Sequence, residues 1–135
     1  MYQIIYTSEA ATSFSSLDLQ ALLAIARRKN VIRGVTGMLV CSDNQFLQVL
    51  EGDAADVIST FDRIAKDPRH DQLIVLHRGY SNVGKTFGET SMGFHSIALN
   101  SALPDGFTRV ANRLDFASFD GLTALEFLLA CRQSV

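Results

Sequence analysis

Apolar and polar residues alternate from the start of the chain. Tyr2, Ile4 and Tyr6 share one face of an extended segment, and Gln3, Ile5 and Thr7 share the other, which is the two-residue period of a strand. The period then changes. Between Ser16 and Asn30 apolar residues recur at helical spacing, after a Thr/Ser cluster at 12–16 that supplies an N-cap. Leu19, Leu22, Leu23 and Ala26 form a bulky stripe, and Ala21, Ala24 and Ile25 a second one of smaller residues. Two stripes predict burial on both sides, with the smaller one admitting another layer or a flat ligand.

Gly34 punctuates the chain. Val35–Cys41 and Gln45–Glu51 are rich in strand formers and are joined through Ser42-Asp43-Asn44, a hairpin pattern. Asp53 is expected to cap a helix over 54–66, with Val57, Phe61 and Ile64 on one face and Lys66 and Pro68 at its stop. Leu73–Arg78 and Met92–Ile97 read as two more strands, connected through 79–88. After a break at Pro104 and Gly106, Phe116–Cys131 is helical, in one or two pieces, and too apolar to stand in solvent. The order βαββαββ predicts a ferredoxin-like α+β sandwich. Its mixed five-stranded sheet carries two helices on one face, and the C-terminal helices cap the other.

At 135 residues the chain suits one domain. Twelve Lys and Arg against 14 Asp and Glu leave a net charge of −2, and Arg27-Arg28-Lys29 is the lone basic tract, so direct nucleic-acid binding is not expected. Apolar runs fall short of the ~18 residues of a membrane span. The first residues lack the basic and apolar regions of a signal peptide, and Cys41 and Cys131 make no disulfide framework, so a cytoplasmic protein is expected. Enzyme motifs are missing: there is no P-loop, no GxGxxG, no GxSxG and no paired-cysteine metal signature. His70, His77 and His95 lack metal-ligand spacing. Cys41 and Met38 read as packing residues.

One position breaks the apolar pattern. Phe46, Gln48 and Leu50 share a strand face, so if that face is buried, Gln48 places a primary amide in an apolar layer. Such a group costs ~1–3 kcal/mol unless paired. The Tyr6 hydroxyl raises the same question. The two could bond each other or a backbone group, or the face could be solvated.

Several stretches resemble the BLUF domain, a blue-light sensor using flavin. They are Ile4-Ile5-Tyr6-Thr7-Ser8, Asn30 followed by Gly34-Val35-Thr36-Gly37, and Phe46-Leu47-Gln48-Val49-Leu50-Glu51-Gly52. Asp67-Pro68-Arg69-His70 and Ser91-Met92-Gly93-Phe94 follow in family order, and the likeness spans residues 2–97. It implies a flavin-binding core over 1–97, with 98–135 as a helical cap of the same domain. It also implies a non-covalent flavin, FAD with FMN as the alternative, held between the two helices that flank the sheet. Tyr6 is then the electron and proton donor, Gln48 the amide that rearranges its hydrogen bonds to give a red-shifted state, and Asn30 a partner of the flavin carbonyl edge. Arg69 and His70 match positions beside the flavin, Gly34 and Thr36 match the pocket wall, and Ala24 lies on the small stripe expected to face the ring.

Two residues depart from the family pattern. Lys29 stands where many members have a first asparagine, and Thr90 stands where many have tryptophan, in a chain with no Trp. Thr90, Met92 and Phe94 alternate onto one strand face. Met92, long and flexible, is expected to relay the signal from Gln48 to the helices at 116–131, with plain core packing as the alternative. The expected function is photoreception without substrate turnover, passed to an unidentified partner protein, in a homo-oligomer away from membranes. A flavin-free interaction module on the same fold is the alternative. A small hydrolase or flavin enzyme lacks a nucleophile–base pair.

Overall fold

The computed structural model describes residues 1–11, 15–80, 87, 92–97, 103 and 114–133, except the side chains of residues 16, 95, 96, 132 and 133. Strand β1 (Tyr2–Ala10) opens the chain. Helix α1 (Ser16–Arg33) begins with a capping box: Ser15 Oγ accepts from the Asp18 N–H at 3.1 Å, and the Asp18 carboxylate accepts from the Ser15 N–H at 3.3 Å. It runs past the expected end at Asn30 to Arg33, because Gly34 is the residue that takes the left-handed φ of 67° and returns its N–H to the Asn30 and Val31 carbonyls.

Strands β2 (Thr36–Ser42) and β3 (Gln45–Gly52) form the expected hairpin. Asp43 and Asn44 turn it with φ of 51° and 60°, the two-residue type I′ geometry that matches strand twist. Helix α2 (Ala54–Ala65) follows. Asp53 sits at its cap position, but its carboxylate makes no capping hydrogen bond, contrary to the sequence expectation. Strand β4 (His70–Tyr80) is longer at both ends than its apolar run, and β5 (Gly93–Ile97) starts one residue after Met92. A short 3-10 turn at Phe116–Ser118 precedes helix α3 (Gly121–Gln133), so the C-terminal helix comes in two pieces. Thr90, Pro104 and Gly106 lie outside the described residues.

The sheet order is β4-β1-β3-β2-β5, antiparallel except for the parallel β2–β5 pair. Placing β3 between β1 and β2, with a helix crossing from β1 to β2, makes the ferredoxin-like arrangement that the element order predicts. Register sets Tyr6 directly opposite Gln48, and Gln48 opposite Leu39.

Both faces of the sheet are covered. Ile5, Met38, Val40, Leu47 and Val49 pack against Phe116 and against Phe127, Leu128 and Cys131 of α3. Gln45 ties this layer down: its Nε2 donates to the Leu114 carbonyl at 2.5 Å, and its Oε1 accepts from the Phe116 N–H at 3.4 Å. The other face carries Tyr2, Ile4, Tyr6 and Leu50, packed with Leu23 of α1, Val57 and Phe61 of α2, and Met92. The two-sided burial expected of α1 does not occur. Leu22, Leu23 and Ala26 turn inward, whereas Ala21, Ala24 and Ile25 are exposed. The helix has the sheet on one side only, so bulky residues fill the interior side and the alanines of the small stripe are left outside, while Ile25 is exposed but still reaches the space between the helices and the sheet.

Candidate functional site

Between α1, α2 and the Tyr6/Gln48 face of the sheet lies a cavity of ≈ 270 Å³. Leu19, Leu22, Leu23 and Ala26 wall it on the α1 side, Leu39, Phe46 and Leu50 on the sheet side, and Ile64 on the α2 side. Polar groups punctuate these apolar walls: Tyr6, Asn30, Gln48 and Thr60 inside, and Lys29, Arg63, Asp67 and Arg69 among the charged lining. Apolar flats with a few polar edges form the usual makeup of a small-molecule site.

Tyr6 has no exposed surface, and its hydroxyl donates to Gln48 Oε1. Burial pushes the phenol well above its ordinary pKa, so it stays protonated at any physiological pH. Its ring meets Phe61 edge-on, with centroids 5.5 Å apart. Gln48 then donates from Nε2 to the Met92 sulfur at 3.3 Å. The buried amide is thus paired at both ends, which answers the question its position on an apolar face raised. The network continues to the helix, where Arg27 Nε donates to the Met92 backbone carbonyl at 2.8 Å.

His70 stands at the start of β4 with Nδ1 2.9 Å from Ser8 Oγ, and its ring is edge-on to Tyr6 at 6.5 Å and to Phe46 at 5.6 Å. Burial lowers its pKa, opposed by Asp67 and assisted by Arg69. Arg69 closes a fork on Asp67, donating through Nε at 2.9 Å and 3.0 Å and also through Nη2. That bond holds the Asp67 carboxyl at about 2 and largely spends the Arg69 charge. Lys29 and Arg63 carry positive charge elsewhere in the lining.

Of the residues singled out in the sequence, Tyr6, Asn30, Gln48, Arg69, His70 and Met92 all line this one cavity. Three do not. Ala24 is exposed and turned away from it, because the bulky stripe of α1 takes the inward side. Gly34 is the exposed αL residue ending α1, with no part in the wall. Thr36 shares its strand face with Met38 and Val40, so it points into the α3 layer, paired across from Glu51. Its buried Oγ1 has no hydrogen-bond partner among the described residues. Thr90 is outside the described residues.

The sequence marks Arg27 only as part of a basic tract and Ser8 only as part of a family-like stretch, with no role at the site for either, and it does not mark Arg63. For Arg27 a signal exists: it lies four residues after Leu23 and three before Asn30, both buried, so it shares their helix face. Arg63 and Ser8 carry no comparable mark.

Residues 1–93 match the family BLUF, described as sensors of blue-light using FAD. Among curated relatives, the photoactivated adenylate cyclase subunit beta of Euglena gracilis is 38% identical over 72 residues, covering 53% of this chain and 8% of that protein. The blue light- and temperature-regulated antirepressor BluF of Escherichia coli K12 is 29% identical over 97 residues, covering 72% of this chain and 24% of its own length. The chain therefore spans only a small part of these relatives. Among solved structures, the dark state of BlrB, a BLUF protein, superposes with a TM-score of 0.77 at 21% identity, covering 99% of this chain and 96% of that one. The photo-activated state of BlsA gives a TM-score of 0.77 at 25% identity, covering 96% and 93%. With the family's match over residues 1–93, its fold, and a buried tyrosine–glutamine pair in the wall of one cavity, this chain belongs to the BLUF family of blue-light sensors.

Proposed function

We propose that this chain senses blue light with FAD held in the cavity between α1 and α2, and that Tyr6 and Gln48 are its photoactive residues. The observation that carries the reading is the pair itself: a phenol donating to an amide, and the amide donating onward to Met92, in the cavity wall. The residues present fit the group. The leucines of α1 and Leu39 offer flat apolar walls to a planar ring system, and Asn30 and Gln48 offer amide groups to its polar edge. Lys29 and Arg63 favour the phosphates of FAD, or of FMN as the alternative, at the charged part of the lining.

A bound flavin supplies absorption of blue light and a strongly oxidising excited state. The protein supplies the rest. Tyr6 is held neutral in the dark, so as the donor of an electron to the excited flavin it would also release its proton, along its hydrogen bond to Gln48 Oε1. The amide has a donor end and an acceptor end, so turning it over exchanges what it presents to Tyr6 and to Met92. A thioether cannot donate, so the turned amide loses its bond to the Met92 sulfur. The described residues contain no helix long and apolar enough to cross a membrane. Substrate turnover is not part of the proposed role. The output passes through altered contacts with a partner protein.

The test is an absorption spectrum of the purified, FAD-loaded protein in darkness and after blue light. The expected result is a reversible red shift of the flavin band. A protein that retains flavin with an unshifted spectrum, or that retains none, overturns the reading.

A further inference from the structure

Met92 is held from two sides. Inside the cavity its sulfur accepts from Gln48 Nε2 at 3.3 Å, and on the outside its backbone carbonyl accepts from Arg27 Nε at 2.8 Å. Met92 immediately precedes β5, which among the described residues is an edge strand paired to β2. Sulfur is a weak acceptor, and a guanidinium-to-carbonyl bond is charge-assisted. The stronger of the two ties therefore runs to α1.

Met92 also belongs to the apolar cluster on the α1/α2 face, whereas the α3 residues Ala124, Phe127, Leu128 and Cys131 belong to the cluster across the sheet. A change at Met92 must cross a packed sheet to reach α3, but it reaches α1 through one hydrogen bond. Arg27 shares α1 with Leu23, Ala26 and Asn30 of the cavity wall.

We propose that Arg27 is a positioning residue that couples the hydrogen-bond state of Gln48, through Met92, to helix α1. The proposal rests on the light-sensing reading given above. When the amide withdraws Nε2, the methionine side chain is released to a new rotamer at little cost. Its main chain then moves against the Arg27 bond, and α1 either follows or loses that anchor.

The experiment uses the FAD-loaded chain. Hydrogen exchange over residues 17–33 is measured in darkness and under blue light for the wild type, Arg27→Met and Arg27→Lys. Arg27 is exposed, so neither substitution removes a packed core group. Arg27→Met keeps the aliphatic stem and removes the donor, while Arg27→Lys keeps a donor and the charge. Expected are a light-dependent exchange change across α1 in the wild type, its loss in Arg27→Met, its retention in Arg27→Lys, and a normal red shift in all three. A wild type with no light-dependent change in α1, an Arg27→Met that keeps the full change, or an Arg27→Lys that loses as much as Arg27→Met, each overturns the coupling. A wild type without the red shift instead overturns the light-sensing reading, so the two failures are distinguishable.

Discussion

Tyr6 and Gln48 show how one buried hydrogen bond can serve both stability and function. Each is a polar group in an apolar layer, and each is satisfied by the other. Tyr6→Phe leaves Gln48 Oε1 without its donor, at a cost of ~1–3 kcal/mol. Gln48→Leu strips the phenol of its acceptor in the same way. Both variants are expected to bind flavin and to show no red-shifted species after blue light, as read by absorption spectroscopy. His70 makes a second prediction. Burial holds its pKa below the ordinary 6.5, so the folded state resists a proton that the unfolded chain accepts. The contribution of the neutral imidazole is complete above pH 6.5 and is lost as pH falls through that value toward the lowered folded pKa. The urea midpoint is expected to drop between about pH 8 and about pH 5.5, and His70→Gln to shrink that drop.

At the scale of elements, β2 and β3 approach most tightly at Gly37, where no side chain fits. A Cβ added at Gly37 of β2 would stand 2.0 Å from the Val49 carbonyl oxygen of β3, a backbone atom that cannot swing aside. Gly37→Ala is therefore expected to cost at or above the top of the ~1–3 kcal/mol range of overpacking, measured by urea unfolding. An unchanged midpoint would show that β2 and β3 are not this close. The hairpin was legible in advance because Asp43 and Asn44 are turn residues between two strand-forming runs. The burial of α1 was not. Its two apolar stripes are equally visible in the sequence, and only the position of the sheet decides that Leu22 and Leu23 face in while Ala24 faces out.

For the molecule as a whole, the sheet divides the work. One face carries the cavity, and the other carries the larger continuous core with α3. Phe127 is fully buried in that core, stacked edge-on to Phe116 at 5.6 Å. Phe127→Ala is expected to cost ~3–5 kcal/mol in thermal or urea unfolding. Because the residue lies on the face opposite Tyr6 and Gln48, the protein that remains folded should keep its flavin spectrum. A spectrum altered in the folded fraction would place α3 in closer contact with the site than the packing does.

The sequence alone determined the element order, the hairpin turn and the fact that an amide shares a face with apolar neighbours. Those are local properties, carried by the two- and 3.6-residue periods and by turn chemistry over a few positions. Tertiary structure decided which stripe of α1 meets the cavity and that Thr36 points to the far layer. It also decided that Arg27 reaches across to a carbonyl 65 positions away. A periodic pattern states which residues share a face but not what that face meets. Strand register and helix placement settle the latter, through contacts between residues distant in sequence.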